Sequence, residues 1–221
     1  METSERAATS AIILAGGLSR RMGADKRRLQ LWGAAGPSLL AHTVDVVARL
    51  CADVVVVLND PEAWQSLPAR LVPDSYPDGG ALGGICSGLV ATRHAYALVV
   101  ACDMPLLNPD LLGAMLARPR DYDLLVPRSL EPGAARNPLG VEPLHAIYSK
   151  VCIQPIRATL EGGQRRITAF FPQVRVAYVE PDEIQRYDST GRSFANVNTP
   201  EQLAALQKAA ARGHCPARCR R

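Results

Sequence analysis

Two apolar runs, "DVVVVL" at residues 53–58 and "YALVVA" at 96–101, constrain this chain more than any other feature. A strand so continuously apolar offers no face to water, so both of its faces must be covered. The same character recurs in shorter form at residues 11–14, 69–72, 124–127 and 174–179, and with 54–58 and 97–101 from the long runs this gives six expected strands. Between them lie segments of helical period. In "SLLAHTVDVVARLC" the apolar residues Leu39, Leu40, Val44, Val47 and Leu50 follow the spacing of an amphipathic helix, with Ser38 as its cap. A second helix is expected over about 82–94, entered through a glycine cluster. A third follows in "NPDLLGAMLARP", capped by Asn108 with Pro109 at its first position, and a last in "NTPEQLAALQKAAARG", capped by Thr199 with Pro200 behind it. Strands alternating with helices predict an α/β fold, a mostly parallel sheet flanked by helices.

The 221 residues suit one domain of this kind. The expected division is a flexible N-terminus at 1–9, a domain at 10–213 and a flexible basic tail at 214–221. No apolar segment approaches the roughly 20 residues that span a bilayer, and the polar start "METSERAATS" lacks the layout of a signal peptide, so no membrane partner and a cytoplasmic location are expected. The six cysteines are scattered, several of them inside apolar runs, and are expected to be free thiols. "GHCPARCRR" offers one His and two Cys at the end of the chain, too few ligands for a metal centre. The net charge of +4 forms no basic stripe with interleaved aromatics, so no nucleic-acid partner is expected. Only three of the basic residues are lysines, Lys26, Lys150 and Lys208, which singles out Lys26.

Ligands of an open α/β sheet bind beyond the carboxyl ends of its strands, and three unusual segments fall there. The first is "LAGGLSRRMGADK". Gly16 and Gly17 allow backbone amides to approach an anion, and Arg20, Arg21 and Lys26 add positive charge, so the choice is between a surface turn and a triphosphate cradle. Its spacing matches neither the Walker loop nor the dinucleotide fingerprint. The second, "PDSYPDGGALGGI", combines Asp74 and Asp78 with four glycines. It fits close approach to a nucleobase, with Asp74 accepting from base nitrogens, or else a flexible loop and tight helix packing. In the third, "CDMP", Asp103 stands at a strand end, suited either to Mg²⁺ beside a phosphate or to capping the next turn.

Other segments say less. His145 in "PLHAIY" reads as a core histidine or a catalyst. "GGQRRITAFF" places Arg165 and Arg166 near an expected helix start, as a second anion site or a solvated helix end. Asn196 and Asn198 in "NVNTPEQL" belong to helix capping, or help at a metal site. The irregular stretch 128–141 is expected to be a loop on the substrate side.

In this order and spacing, "ILAGG…SRRMGADK", "PDSYPDGGALGGI", "ACDMP", "PLHAIY" and "FANVNTPEQL" resemble the molybdenum cofactor guanylyltransferase (MobA) family of nucleotidyltransferases, over residues 11–206. The resemblance implies a single Rossmann-like domain of the nucleotide-diphospho-sugar-transferase type. It implies Mg²⁺ as cofactor, GTP and molybdopterin as substrates, and transfer of GMP with release of pyrophosphate. Molybdoenzymes or their chaperones would be the partners for delivery. Leu14, Ala15, Gly16, Gly17 and Lys26 match the nucleotide-contacting segment, Asp74 the guanine-side aspartate, and Asp103 the carboxylate that meets nucleotide and metal. The family's asparagine after the second strand would fall at Val57 without a gap, and Asn59 lies two residues further on. Lys26 with Arg20 or Arg21 is expected to offset charge on pyrophosphate, and Asp103 to hold Mg²⁺. The family's "GPLAG" is replaced here by residues 80–84, "GALGG". Cytidylyltransferases on a similar scaffold tend to carry "LAAG" where this chain has "LAGG", so Gly17 favours guanine. The alternatives are a cytidylyl- or sugar-phosphate nucleotidyltransferase, or a non-catalytic nucleotide-binding adaptor.

Overall fold

A computed structural model of the chain describes residues 8–16, 25–30, 36–130, 137–197 and 202. Seven strands form one sheet: β1 (Thr9–Leu14), β2 (Asp53–Val57), β3 (Arg70–Val72), β4 (Tyr96–Ala101), β5 (Leu124–Pro127), β6 (His145–Ser149) and β7 (Val176–Val179). Among the described residues the α-helices with named bounds are α1 (Leu39–Ala48), α2 (Gly80–Ala91), α3 (Pro109–Leu116), α4 (Ile153–Glu161) and the short α5 (Pro181–Gln185). The strand order is β3-β2-β1-β4-β6-β5-β7. β1 runs parallel to β2 on one side and to β4 on the other, and β6 alone runs antiparallel, between β4 and β5.

The apolar runs behave as their composition demands. Along β1, Ala11 and Ile13 enter one core while Ile12 and Leu14 enter the other, and Leu98 and Val100 of β4 part from Ala97 and Val99 in the same way. Leu40, Val44, Val47 and Leu111 cover the first face, and Leu82, Ile85, Leu89, Ile156 and Phe170 the second. Each such side chain taken from water contributes about 1.5–3 kcal/mol. The caps are the expected ones: Ser38 Oγ accepts from the Ala41 amide at 3.3 Å, and Asn108 Oδ1 from Asp110 at 2.9 Å and Leu111 at 3.2 Å.

Three differences from expectation stand out. β1 and β2 begin earlier than the expected strands because Thr9, Ser10 and Asp53 are buried despite their polarity, and β4 begins one residue early, at Tyr96. At this end of the sheet Asp53 accepts from Ser10 Oγ at 2.6 Å, from the Arg93 amide at 2.9 Å and from Arg70 at 2.7 Å, and these donors hold its pKa at about 2 against the cost of burial. β6 and α4 were not expected as elements. Gly162 and Gly163 lie at the close of α4, and the helix start expected at Arg165 and Arg166 is that of a 3-10 helix, Ile167–Gln173, whose N-cap is Arg166. The expected last helix, the tail with Cys215 and Cys219, and residue Asn198 lie outside the described residues, Gln202 excepted. Cys51, Cys86, Cys102 and Cys152 are free and buried.

α2 sits unusually close to the sheet. A Cβ added to Gly88 would stand 2.5 Å from Ile12 Cγ2 on β1, nearer than real Cβ contacts come, so only glycine lets this helix pack at that height.

Candidate active site

The chain leaves β1 toward β2 and β3 on one side, then returns to β4 on the other. The carboxyl ends of β1 and β4 are therefore the switch point of the sheet, where a crevice must open. A cleft of about 580 Å³ lies there. Leu14 and Gly16 line it from β1, Asn59 and Asp60 from beyond β2, Asp74 from beyond β3, Gly80, Ala81 and Gly84 from α2, and Cys102 and Asp103 from beyond β4. Of the predicted site residues, Leu14, Gly16, Lys26, Asn59, Asp74 and Asp103 thus meet in one cavity, although up to 77 positions separate Lys26 from its partner Asp103. Ala15 is buried, its N–H donating to Val57 O at 2.9 Å. Gly17, Arg20 and Arg21 lie outside the described residues.

Asp103 Oδ2 accepts from Lys26 Nζ at 2.7 Å. The two groups are only 17% and 19% exposed, so the pair is poorly screened, and the ammonium stands where a cation is wanted. Behind Lys26, the adjacent Arg27 forms a hub that sequence reasoning missed. Its guanidinium donates to both oxygens of Asp25 at 2.8 Å, to Asp60 at 2.5 and 2.7 Å, and lies over the Trp64 ring at 5.3 Å. Hydrogen bonds from Arg27 hold the carboxyls of Asp60 and Asp25 below their usual range. The local signal was the Asp25–Arg27 pair after a strand-end loop; the decisive partner, Asp60, is 33 residues away.

Asp74 lines the first cleft, and its Oδ2 lies toward Gly84 of α2. Its Oδ1 accepts from the Tyr76 amide at 2.9 Å and from Ser87 Oγ of α2 at 2.8 Å. Ser87 was not singled out in the sequence, because an apolar helix gives no sign of which polar residue faces a ligand-side carboxylate.

A second cleft, of about 620 Å³, adjoins the first, and Asp103 and Leu144 line both. Asn137, Val141 and Glu142 contribute to it, so the described end of the 128–141 stretch does border a cavity. Arg166, Thr168, Phe194 and Asn196 close it. The Val197 amide donates to Asp103 O at 2.8 Å and so docks the "NVN" strap beside the carboxylate, while Asn196 Oδ1 is buried without a hydrogen-bonding partner. Arg165 is spent on the Asp78 and Leu160 carbonyls, at 2.7 and 3.1 Å; Arg166 is the member of that pair that reaches the second cleft.

His145 lines neither cleft. It is fully buried against Phe194, ring centroids 4.9 Å apart, with neither ring nitrogen hydrogen-bonded, and burial lowers its pKa to about 4. It is a neutral core residue at physiological pH. Burial likewise pushes Cys102 up to about 12, so this cleft thiol is no nucleophile. Among the described residues no three His, Cys, Asp or Glu side chains cluster as a metal site, and no helix is long and apolar enough to cross a membrane.

A mostly parallel sheet carrying a ligand-sized cleft at its switch point defines an α/β protein of the nucleotide-binding class. Residues 11–177 match the family model described as the MobA-like NTP transferase domain, and the chain belongs to that family of nucleotidyltransferases. It is 45% identical, over 90% of its length and 93% of the relative's, to the "Probable molybdenum cofactor guanylyltransferase" of Chloroflexus aggregans. It is 36% identical to a protein of the same name from Pelotomaculum thermopropionicum, over 87% of this chain and 88% of that one. The crystal structure of molybdopterin-guanine dinucleotide biosynthesis protein A from Archaeoglobus fulgidus shares the fold, with a TM-score of 0.73, 23% identity, and coverage of 92% of this chain and 100% of that one.

Proposed function

We propose that this protein transfers GMP from GTP to molybdopterin, forming the guanine dinucleotide cofactor and pyrophosphate. The observation that carries the reading is Asp103, the carboxylate shared by two adjoining clefts. Transfer needs a nucleotide and an acceptor phosphate to meet at one point, in line, and a shared wall is where two ligands can do so. The first cleft, with Asp74 at its far side, takes the nucleotide; the second, with Arg166 and Asn196, takes the pterin phosphate.

The charge balance supports a divalent cation. The described ionised groups of the first cleft are Lys26 and Arg27 against Asp60, Asp74 and Asp103, and Arg27 is already engaged by two carboxylates. A triphosphate entering this field needs more positive charge than these residues supply. Mg²⁺ binds one or two carboxylates and takes its remaining ligands from phosphate and water, so the lone Asp103, with the orphaned Asn196 Oδ1 close by in the chain's docked strap, fits it. When bound, Mg²⁺ would neutralise phosphate charge at Asp103.

The chain's own residues then have these tasks. Gly16 lets the backbone approach the phosphates, and Lys26, released from Asp103, follows the β- and γ-phosphates with Arg20 and Arg21. An acceptor phosphate oxygen attacks the α-phosphorus, the bond to the bridging β-oxygen breaks, and pyrophosphate carries away the electron pair. No side-chain nucleophile or general base is required, because the acceptor is already anionic. Molybdoenzymes or their chaperones would receive the product.

The test is Asp103→Ala, assayed with GTP, Mg²⁺ and molybdopterin and read by product mass. Loss of the GMP adduct by more than about 100-fold, with an unchanged circular dichroism spectrum, is expected. Near-normal turnover would remove the metal assignment. Parallel incubations with CTP and UTP decide the base, and tight GTP binding without pyrophosphate release would instead mark a binding adaptor.

A further inference from the structure

We infer that Ser87, which lines neither cleft, is a positioning residue that sets base discrimination by allotting the two oxygens of Asp74. This rests on the proposal that Asp74 meets guanine. Ser87 sits in α2 and is 6% exposed. Its hydroxyl oxygen accepts from the Ser75 amide at 2.9 Å, and its single proton has two acceptors in range, Asp74 Oδ1 at 2.8 Å and Gly83 O at 3.0 Å. The ionised carboxylate is the stronger acceptor and takes it. With the Tyr76 amide also donating at 2.9 Å, both lone pairs of Oδ1 are filled from within the protein.

Oδ2 is left as the oxygen for a ligand. It faces Gly84, where an added Cβ would come within 3.9 Å of it and within 3.2 Å of Leu14 Cδ2, and Gly84 and Leu14 both line the first cleft. A base edge lying along the wall they form meets one negatively charged acceptor in a fixed direction. Guanine presents two adjacent donors there, the ring N1–H and the 2-amino group, and one oxygen with two lone pairs can accept both. Cytosine presents one amino donor beside the N3 acceptor, which a fixed Oδ2 repels. Inosine keeps N1–H and loses the amino group. Without the Ser87 hydroxyl only the Tyr76 amide still holds Oδ1, so the carboxylate turns more readily, and the Ser75 amide that anchors the segment loses its acceptor. Selectivity then falls, although no residue that lines the cleft has been changed.

The experiment is calorimetric titration of the full chain with GTP, ITP and CTP in Mg²⁺, comparing wild type, Ser87→Ala and Asp74→Ala. Losing one hydrogen bond to a charged group corresponds to about tenfold in affinity. Ser87→Ala is expected to weaken GTP about tenfold and CTP by less than about twofold, so the GTP-to-CTP ratio falls about tenfold, with ITP losing less than GTP. Asp74→Ala should collapse the ratio. A wild-type ratio in Ser87→Ala alongside a collapsed ratio in Asp74→Ala overturns the role of Ser87 and leaves the guanine site standing. Equal weakening of GTP and CTP in Ser87→Ala also overturns it, since that is the mark of a purely structural residue. An unchanged ratio in Asp74→Ala, or a wild type that binds GTP and CTP alike, overturns the guanine reading itself and this inference with it.

Discussion

Replacing Arg27 by alanine tests whether one wall of the first cleft is held by charge. In the native protein one guanidinium joins Asp25, ahead of Lys26, to Asp60 beyond β2, and covers Trp64. Fully buried pairs of this kind cost several kcal/mol to break, but Asp60 is 42% and Asp25 30% exposed, so water recovers part of each. Two two-point carboxylate contacts at about 1 kcal/mol each, and a ring contact of about 0.5–1 kcal/mol, give about 2.5–3 kcal/mol. For a domain of this size that lowers the melting temperature by about 4–12 °C. The sign with pH follows from the two carboxyls, whose folded pKa values lie below the unfolded ones. Their contribution is complete above about pH 4 and is lost as the pH falls through the folded values. Urea titrations at pH 7 and at successively lower pH should therefore show the Arg27→Ala deficit shrinking once the pH drops below about 4. Arg27→Lys should recover less than half, because an ammonium cannot bridge two carboxylates side by side. A deficit under about 0.5 kcal/mol at pH 7, or one that does not change with pH, would refute the reasoning.

Asp53→Asn should cost about 2 kcal/mol at pH 7, because the folded pKa of about 2 lies below the usual carboxyl value, and the loss should fade between about pH 4 and 2. His145→Leu should flatten the stability profile: the buried ring stays neutral down to about pH 4, whereas the unfolded chain takes up its proton from about pH 6.5, so wild type loses stability across that window and the variant does not. Differential scanning calorimetry from pH 7 to 4 measures it, and parallel wild-type and variant curves would count against the buried neutral ring. Gly88→Ala should destabilise by about 1–3 kcal/mol through overpacking against Ile12, read from urea midpoints.

Much of this fold was legible because its signals are local. The two long apolar runs demanded coverage on both faces, and Ser38 and Asn108 cap the helices where their side chains say they should. What escaped depends on partners distant in sequence. "LHAIY" holds too few residues to tell a strand from a helix by period, and its antiparallel direction follows from pairing with β4 some 50 positions earlier. α4 carries Pro155 in its first turns, which reads as a break. Lys26, Asp74 and Asp103, which meet in the first cleft, were legible because charged residues in segments that follow strand ends are conspicuous. Arg27 and Ser87 were not, because their value lies in Asp60 and Asp74, which only the folded chain brings to them. His145 was read as core or catalyst, and burial decided for core.

The tight seat of α2 has a consequence for how such a pocket can change. Gly88 rests on Ile12 and lines neither cleft, yet the same helix carries Gly84 at the wall of the first cleft and Ser87 behind Asp74. The width of that cleft is therefore gauged from the rear, by the thickness of one methyl group. A lineage in need of a roomier pocket has a route that leaves every side chain lining the cleft untouched: lift the helix at position 88, and let the cleft widen with it.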